Sequence, residues 1–127
     1  MKNAIIEIMT VTKKTAAVIT IGSPVILNQS DTDYVTTTTT ANNKAIFGVA
    51  MNTSVADGDC KIMMLGVGPV KVATAASCAV GDLLVTHTVA GTAVEATAGQ
   101  ESFAKVLIAP GADSELVTSF INCSTRG

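Results

Sequence analysis

Aromatic residues are nearly missing from this chain of 127 residues, which has no Trp, one Tyr and three Phe. Its core must therefore rest on Val, Ile, Leu, Met and Ala, and aromatic sugar-stacking platforms have little to be built from. Charge is scarce as well: 14% of residues are charged, eight basic against ten acidic, for a net charge of −2. That balance excludes electrostatic nucleic-acid binding, which needs a basic patch to release counterions. The three Cys are odd in number and form no CxxC pair, which excludes a disulfide framework and fits folding in a reducing cytoplasm. No apolar run approaches the roughly 18 residues of a membrane helix. "MKNAIIEIM" is broken by Glu7 and lacks the long apolar region of a signal peptide. The expectation is a chain with no membrane partner.

What is present is β pattern. With 48% hydrophobic residues the chain has material for a core and is not disordered. Short apolar, β-branched runs recur between Gly, Asp, Asn and Pro. They predict strands at Ala16–Thr20, Pro24–Asn28, Tyr34–Thr38, Ala45–Asn52, Cys60–Leu65, Val70–Ala73, Leu83–Thr88, Ala93–Thr97, Phe103–Ala109 and Glu115–Asn122. No window carries a convincing helical stripe, although "VATAASCAVG" could pass as a short helix on Ala content. "VTTTTTANN" reads as an exposed strand, since branched Thr fits a pleated surface, leading to a turn at Asn42-Asn43.

An internal repeat organises these runs. "TAAVITIG" (Thr15–Gly22) matches "TAASCAVG" (Thr74–Gly81), and each Gly is followed by an apolar run, "SPVIL" or "DLLVT". Further on, "FGVAMNTSVADGDCKIMML" matches "FAKVLIAPGADSELVTSFI", with Phe47 on Phe103, Asp57 on Asp113 and Asp59 on Glu115. The two matches differ in spacing between Gly22 and Phe47, where the Thr run would be a loop insertion. The expected fold is all-β, a compact β-barrel or β-sandwich of two similar modules. Residues 1–14 would be an extended N-terminal arm and residues 15–127 one β domain, with half-repeats of about 15–73 and 74–127.

Each chemical candidate has a structural explanation beside it. Asp57-Gly58-Asp59 lacks the spaced oxygen ligands of a calcium loop. Its echo, Asp113-Ser114-Glu115, points to a turn in which Asp bonds its own backbone and Gly takes φ > 0; Asp31-Thr32-Asp33 reads as a polar loop. Cys60, Cys78 and Cys123 align with Leu116, Ile19 and Val67, positions for small buried hydrophobes. His87 aligns with Asn28 and reads as a surface residue without a nucleophile or orienting carboxylate. "GVGP" at 66–69 matches no phosphate-binding loop and reads as a bend or bulge between strands. No catalytic residue, metal ligand or cofactor site is assigned. Along Cys60–Val67 both faces are partly apolar, so these strands are central in a sandwich or a second subunit covers them. The unrepeated "MKNAIIEIMTVTKK" either closes the chain's own barrel or adds a strand to a neighbour's sheet. In the second case the contact residues would be Asn3, Ile5, Ile6, Ile8, Lys13 and Lys14.

The succession "GSPVIL… FGVAMNTSVADGDCKIMMLGVGPVKV… VGDLLV… FAKVLIAPGADSELVTSFI" resembles the capsid decoration, or cement, proteins of tailed bacteriophages, from Ala16 to Ile121. The polar "DTDYVTTTTTANNK" is longer than the family pattern, and Ala104-Lys105 stands where the first half has Gly48-Val49. The resemblance implies a non-enzymatic virion protein, made in the host cytoplasm. It would bind the outer capsid surface, bridge capsomers, and associate as a homotrimer with the major capsid protein as partner. Two other functions compete. A lipoyl- or biotinyl-like carrier would need a modifiable Lys at a hairpin tip, for which Lys71 is the nearest candidate. A carbohydrate-binding or adhesin-like domain, such as a head fibre base, would have only Tyr34, Phe47, Phe103 and Phe120 for its platform.

Overall fold

A computed structural model describes residues 5–73, 78–108 and 116–123. Asn3, part of the Ala-rich "VATAASCAVG" and the turn at Asp113–Glu115 lie outside the described residues. Nine strands follow in chain order: β1 (Ile6–Thr15), β2 (Pro24–Leu27), β3 (Tyr34–Thr37), β4 (Ile46–Ala50), β5 (Asp59–Lys71), β6 (Leu83–Thr86), β7 (Ala93–Glu95), β8 (Ala104–Ile108) and β9 (Leu116–Asn122). No helix occurs among the described residues, and the protein is all-β.

The strands form one sheet in the order β1-β3-β2-β4-β5-β9-β8-β6-β7. β1 also pairs antiparallel with β5, from Ile6↔Val67 to Lys14↔Asp59, so the sheet folds back on itself there. The whole is a compact β fold and not a closed barrel. β5 runs through both halves of the molecule and has β1 and β4 beside it at one end and β9 at the other.

The pairings of the first half recur in the second. Val25↔Gly48 has its counterpart in Leu84↔Ala104, Leu27↔Val35 in Thr86↔Ala93, and Val49↔Met63 in Lys105↔Phe120. The entry turns recur too. Gly22 and Gly81 sit at φ 88 and 94, a region that a residue without Cβ enters freely. Gly22 N–H donates to Ala50 O at 2.7 Å, and Gly81 N–H to Val106 O at 2.8 Å. The carbonyls of Ser23 and Asp82 accept in return from Ala50 and Val106. In the last strand the register differs by one residue from the sequence match. The pairing sets Phe120 in the place of Met63, hence Val117, not Leu116, in the place of Cys60.

The sequence expectation changes in two places. Ala16–Thr20 makes only the isolated bridge Ile19↔Ser54. Thr15 Oγ1 bonds Ser54 Oγ at 3.0 Å and Val55 O at 2.8 Å, a side-chain competition that draws the chain out of the ladder. "GVGP" does not separate strands but lies inside β5. Gly66 meets β1 so closely that a Cβ there would collide with the Ile6 carbonyl oxygen, and the β1–β5 register shifts beside it. Pro69 is tolerated because N–H groups of its parity point away from β9; that of Lys71 goes instead to Gly22 O at 2.8 Å.

The core has two clusters. The smaller, inside the first half, joins Ile19, Val25, Val35, Ala50, Cys60 and Ile62. The larger centres on Leu84, Phe103, Val106, Val117 and Ile121 of the second half and takes in Ile46, Val49, Met51 and Met63 of the first. The first half thus presses one sheet face into the core of the second. Phe103 is its largest fully buried side chain, with burial contributing about 1.5–3 kcal/mol.

Candidate interaction surfaces

The residues singled out in the sequence separate into structural parts and surface. Asp57 is part of a turn, but it carries the positive φ (60) that was expected of Gly58, as Asp tolerates. Its N–H donates to Thr15 O at 2.7 Å and Gly58 N–H to Val55 O at 2.8 Å. Tyr34 Oη donates to Asp57 Oδ1 at 3.1 Å. That bond, then the charge of Asp57, raises the phenol pKa above its ordinary 10.0, with Asp31 and Asp33 adding to it. Asp31 Oδ1 accepts from Asp33 N–H at 3.0 Å, a local turn bond. Among the described residues no group of three or more His, Cys, Asp or Glu is placed to hold a metal.

The cysteines are buried and free. Burial pushes the thiol pKa of Cys60 up, against a small lowering from its contact with the Asn52 backbone. Burial, then Asp82 and Glu95, does the same for Cys78. Neither has the cationic setting that makes a thiolate nucleophile. His87 is half-buried, and its Nδ1 accepts from Val89 N–H at 3.1 Å. Asn28 does the same in the first half, where Oδ1 accepts from Ser30 N–H at 2.9 Å. The two residues hold equivalent turns. Lys71 ends β5 and does not occupy a hairpin tip, as a carrier lysine would.

The segment expected as an arm is, from Ile6 onward, the strand β1. One edge lies along β5; the other, among the described residues, is paired with β3 only at Lys14 and Thr15. The sequence-predicted contact residues divide along it. Ile5, Ile6 and Ile8 are 49%, 48% and 63% exposed, joined by Met9, which sequence reading missed. Further along the strand, Lys13 and Lys14 are engaged within the chain. Lys13 Nζ donates to Thr32 O at 2.9 Å, and Lys14 Nζ lies 3.6 Å from Asp59. Glu7 is bonded by Lys61 Nζ at 3.0 Å. What remains open is the isoleucine end of β1, apolar and with an edge that no described residue pairs, a template for strand addition.

A second surface was not legible in the sequence. Leu83 pairs with Lys105, Lys105 with Phe120, and Phe120 with Val67; directly opposed residues share a sheet face. Leu83 and Phe120 are 45% and 38% exposed. With Ser102 and Asn122 they line an open groove of about 480 Å³.

With this architecture in view, known proteins can be compared. No protein-family model and no curated protein matches the sequence. Among solved structures, the chain is similar to the head fiber gp8.5 N base of bacteriophage phi29, known from a crystal structure. The TM-score is 0.66 at 21% identity, over 91% of this chain and 95% of that one. At that identity the likeness is one of fold, and it spans both halves.

Proposed function

We propose that this chain is a non-enzymatic structural protein of a bacteriophage virion, a decoration or cement protein on the outer surface of the head. Its partner is the major capsid protein, and it acts as a homotrimer that bridges capsomers. The observation that carries this reading is the fold shared, over nearly the whole chain, with a head fiber base. The sequence resemblance to decoration proteins and the open isoleucine edge of β1 support it further. Such a protein needs no pocket. It holds a lattice by many modest contacts whose effect is multiplied when several are made at once. Ile5, Ile6 and Ile8 offer apolar area, and the β1 backbone offers hydrogen bonds, to an extended segment of the capsid protein.

The neighbour itself favours a second reading, in which the chain is the base on which a head fibre stands. Electron microscopy of heads carrying the protein separates the two, since a cement forms a layer of compact knobs and a fibre base supports projections.

The test is co-sedimentation with heads lacking the protein. Because β1 is built into the sheet, point changes are preferable to removing residues 1–14. Ile6→Asp with Ile8→Asp should abolish binding and leave the β circular dichroism spectrum unchanged. Undiminished binding by this variant would remove β1 from the capsid contact.

A further inference from the structure

Asp57-Gly58 is the one Asp-Gly step in the chain, and no Asn precedes a Gly. It sits in the turn before β5, where Asp57 is exposed. Packing dictates the glycine. A Cβ on Gly58 would lie 2.9 Å from both Ser54 Oγ and Val55 O, and both of these bond the Thr15 hydroxyl. Gly58 therefore offers a backbone nitrogen that no side chain shields, next to a carboxyl one methylene from the main chain. That is the combination from which a cyclic imide forms in water. The fold also restrains it. Tyr34 Oη donates to Asp57 Oδ1 at 3.1 Å, holding the carboxyl toward β3. Gly58 N–H donates to Val55 O at 2.8 Å. Ring closure needs the carboxyl to swing to the Gly58 nitrogen and that N–H to leave Val55.

We propose that Asp57-Gly58 is a site of spontaneous aspartate isomerisation and that the Tyr34 hydroxyl is its latch. The Gly58 nitrogen bonds to Asp57 Cγ; its proton and one carboxyl hydroxyl leave together as water. The imide then takes up water at either carbonyl. Opening at Cγ restores aspartate. Opening at the α-carbonyl leaves isoaspartate, with the main chain running through Cβ and Cγ. Water is the only co-reactant. The added backbone atom falls between Asp57 N–H, which donates to Thr15 O at 2.7 Å, and Gly58 O, which accepts from Thr15 N–H at 3.1 Å. Isomerisation thus pulls apart the two bonds that clamp the end of β1 to this turn. The inference concerns ageing of the isolated chain and does not rest on the virion reading.

The experiment incubates the folded wild type, the wild type in urea, Tyr34→Phe and His87→Ala at mildly acidic pH, and then maps the tryptic peptide 45–61. Isoaspartate leaves the peptide's mass unchanged but shifts its elution, and electron-transfer fragmentation assigns the position. Tyr34→Phe removes only a hydroxyl from a half-buried ring, and circular dichroism will check that it stays folded. Isoaspartate should accumulate at residue 57 in every sample, at least ~10-fold faster in urea, where all the restraining bonds are lost. Tyr34→Phe should age roughly 2- to 10-fold faster than the folded wild type, the range that one hydrogen bond is worth. His87→Ala loses a turn bond in the second half instead and should age at the wild-type rate. No isoaspartate at residue 57 in urea, or equal rates in urea and in the fold, would overturn the proposal. So would Tyr34→Phe ageing at the wild-type rate, or no faster than His87→Ala.

Discussion

The first and second halves use the same turns and strand pairings but put the same sheet face to opposite uses. Val49 and Met63 are wholly buried where the second half has exposed Lys105 and Phe120. The lesson is that the pairing scheme fixes which residues share a face, while what covers that face decides whether it is core or surface. Substitution in the two halves should therefore have unequal consequences at equivalent positions.

The largest inequality is expected from exchanging residues across the comparison. Val49→Lys places a charge without a partner in the core and should cost about 3–5 kcal/mol. Lys105→Val should change stability by no more than about 0.5 kcal/mol. Urea melts of the two variants would measure this, and equal losses would break the distinction.

A smaller inequality is expected at the entry glycines. A Cβ on Gly22 would lie 2.6 Å from Leu116 Cδ2 and 2.9 Å from Lys71 N, whereas nothing among the described residues lies within 4 Å of one on Gly81. Both carry positive φ, so Gly81→Ala should cost about 1–2 kcal/mol from backbone strain alone. Gly22→Ala should cost more, about 2–4 kcal/mol, because backbone must also move. Thermal melts of the pair would rank them.

A pH effect from an unmatched hydrogen bond is expected at Tyr34 in the first half. Tyr34 donates to Asp57, while its counterpart in the second half, by the pairing, is Thr92. The folded-state phenol pKa is raised. Its stabilising contribution is thus fully present below the unfolded value of about 10 and is lost as pH rises through the folded value. Stability of the wild type should fall more steeply above pH ~10 than that of Tyr34→Phe, as melts across that range would reveal.

The smallest difference is expected where the halves agree. His87→Asn installs the residue that the first half uses in the same turn and should be neutral within about 0.5 kcal/mol. His87→Ala and Asn28→Ala should each lose about 0.5–1 kcal/mol with the turn bond. A large effect of His87→Asn would assign that histidine a role beyond the turn.

Much of the fold was legible because its signals are local. Pro24, Tyr34, Leu83 and Ala93 begin strands where their β-branched runs predicted, and Asn42 takes the positive φ (48) of the expected turn. Signals that depend on distant partners were not legible. Ala16–Thr20 had strand composition but lost its ladder to the Thr15 side chain, and β5 continued through Gly66 and Gly68 because β1 and β9 held it on either side. The one-residue difference in the last strand could be read only from pairing. The apolar start of β1 stood out in the sequence because it is unrepeated. The groove did not, since Leu83 and Phe120 look like any core residues until their faces are known.

The central proposal, that this protein coats a phage head, is tested most directly by adding it to phage heads assembled without it and measuring co-sedimentation. The expected result is saturable binding at a fixed number of copies per head, lost with Ile6→Asp and Ile8→Asp. Protein left in the supernatant at every concentration, with its β spectrum intact, would contradict the claim.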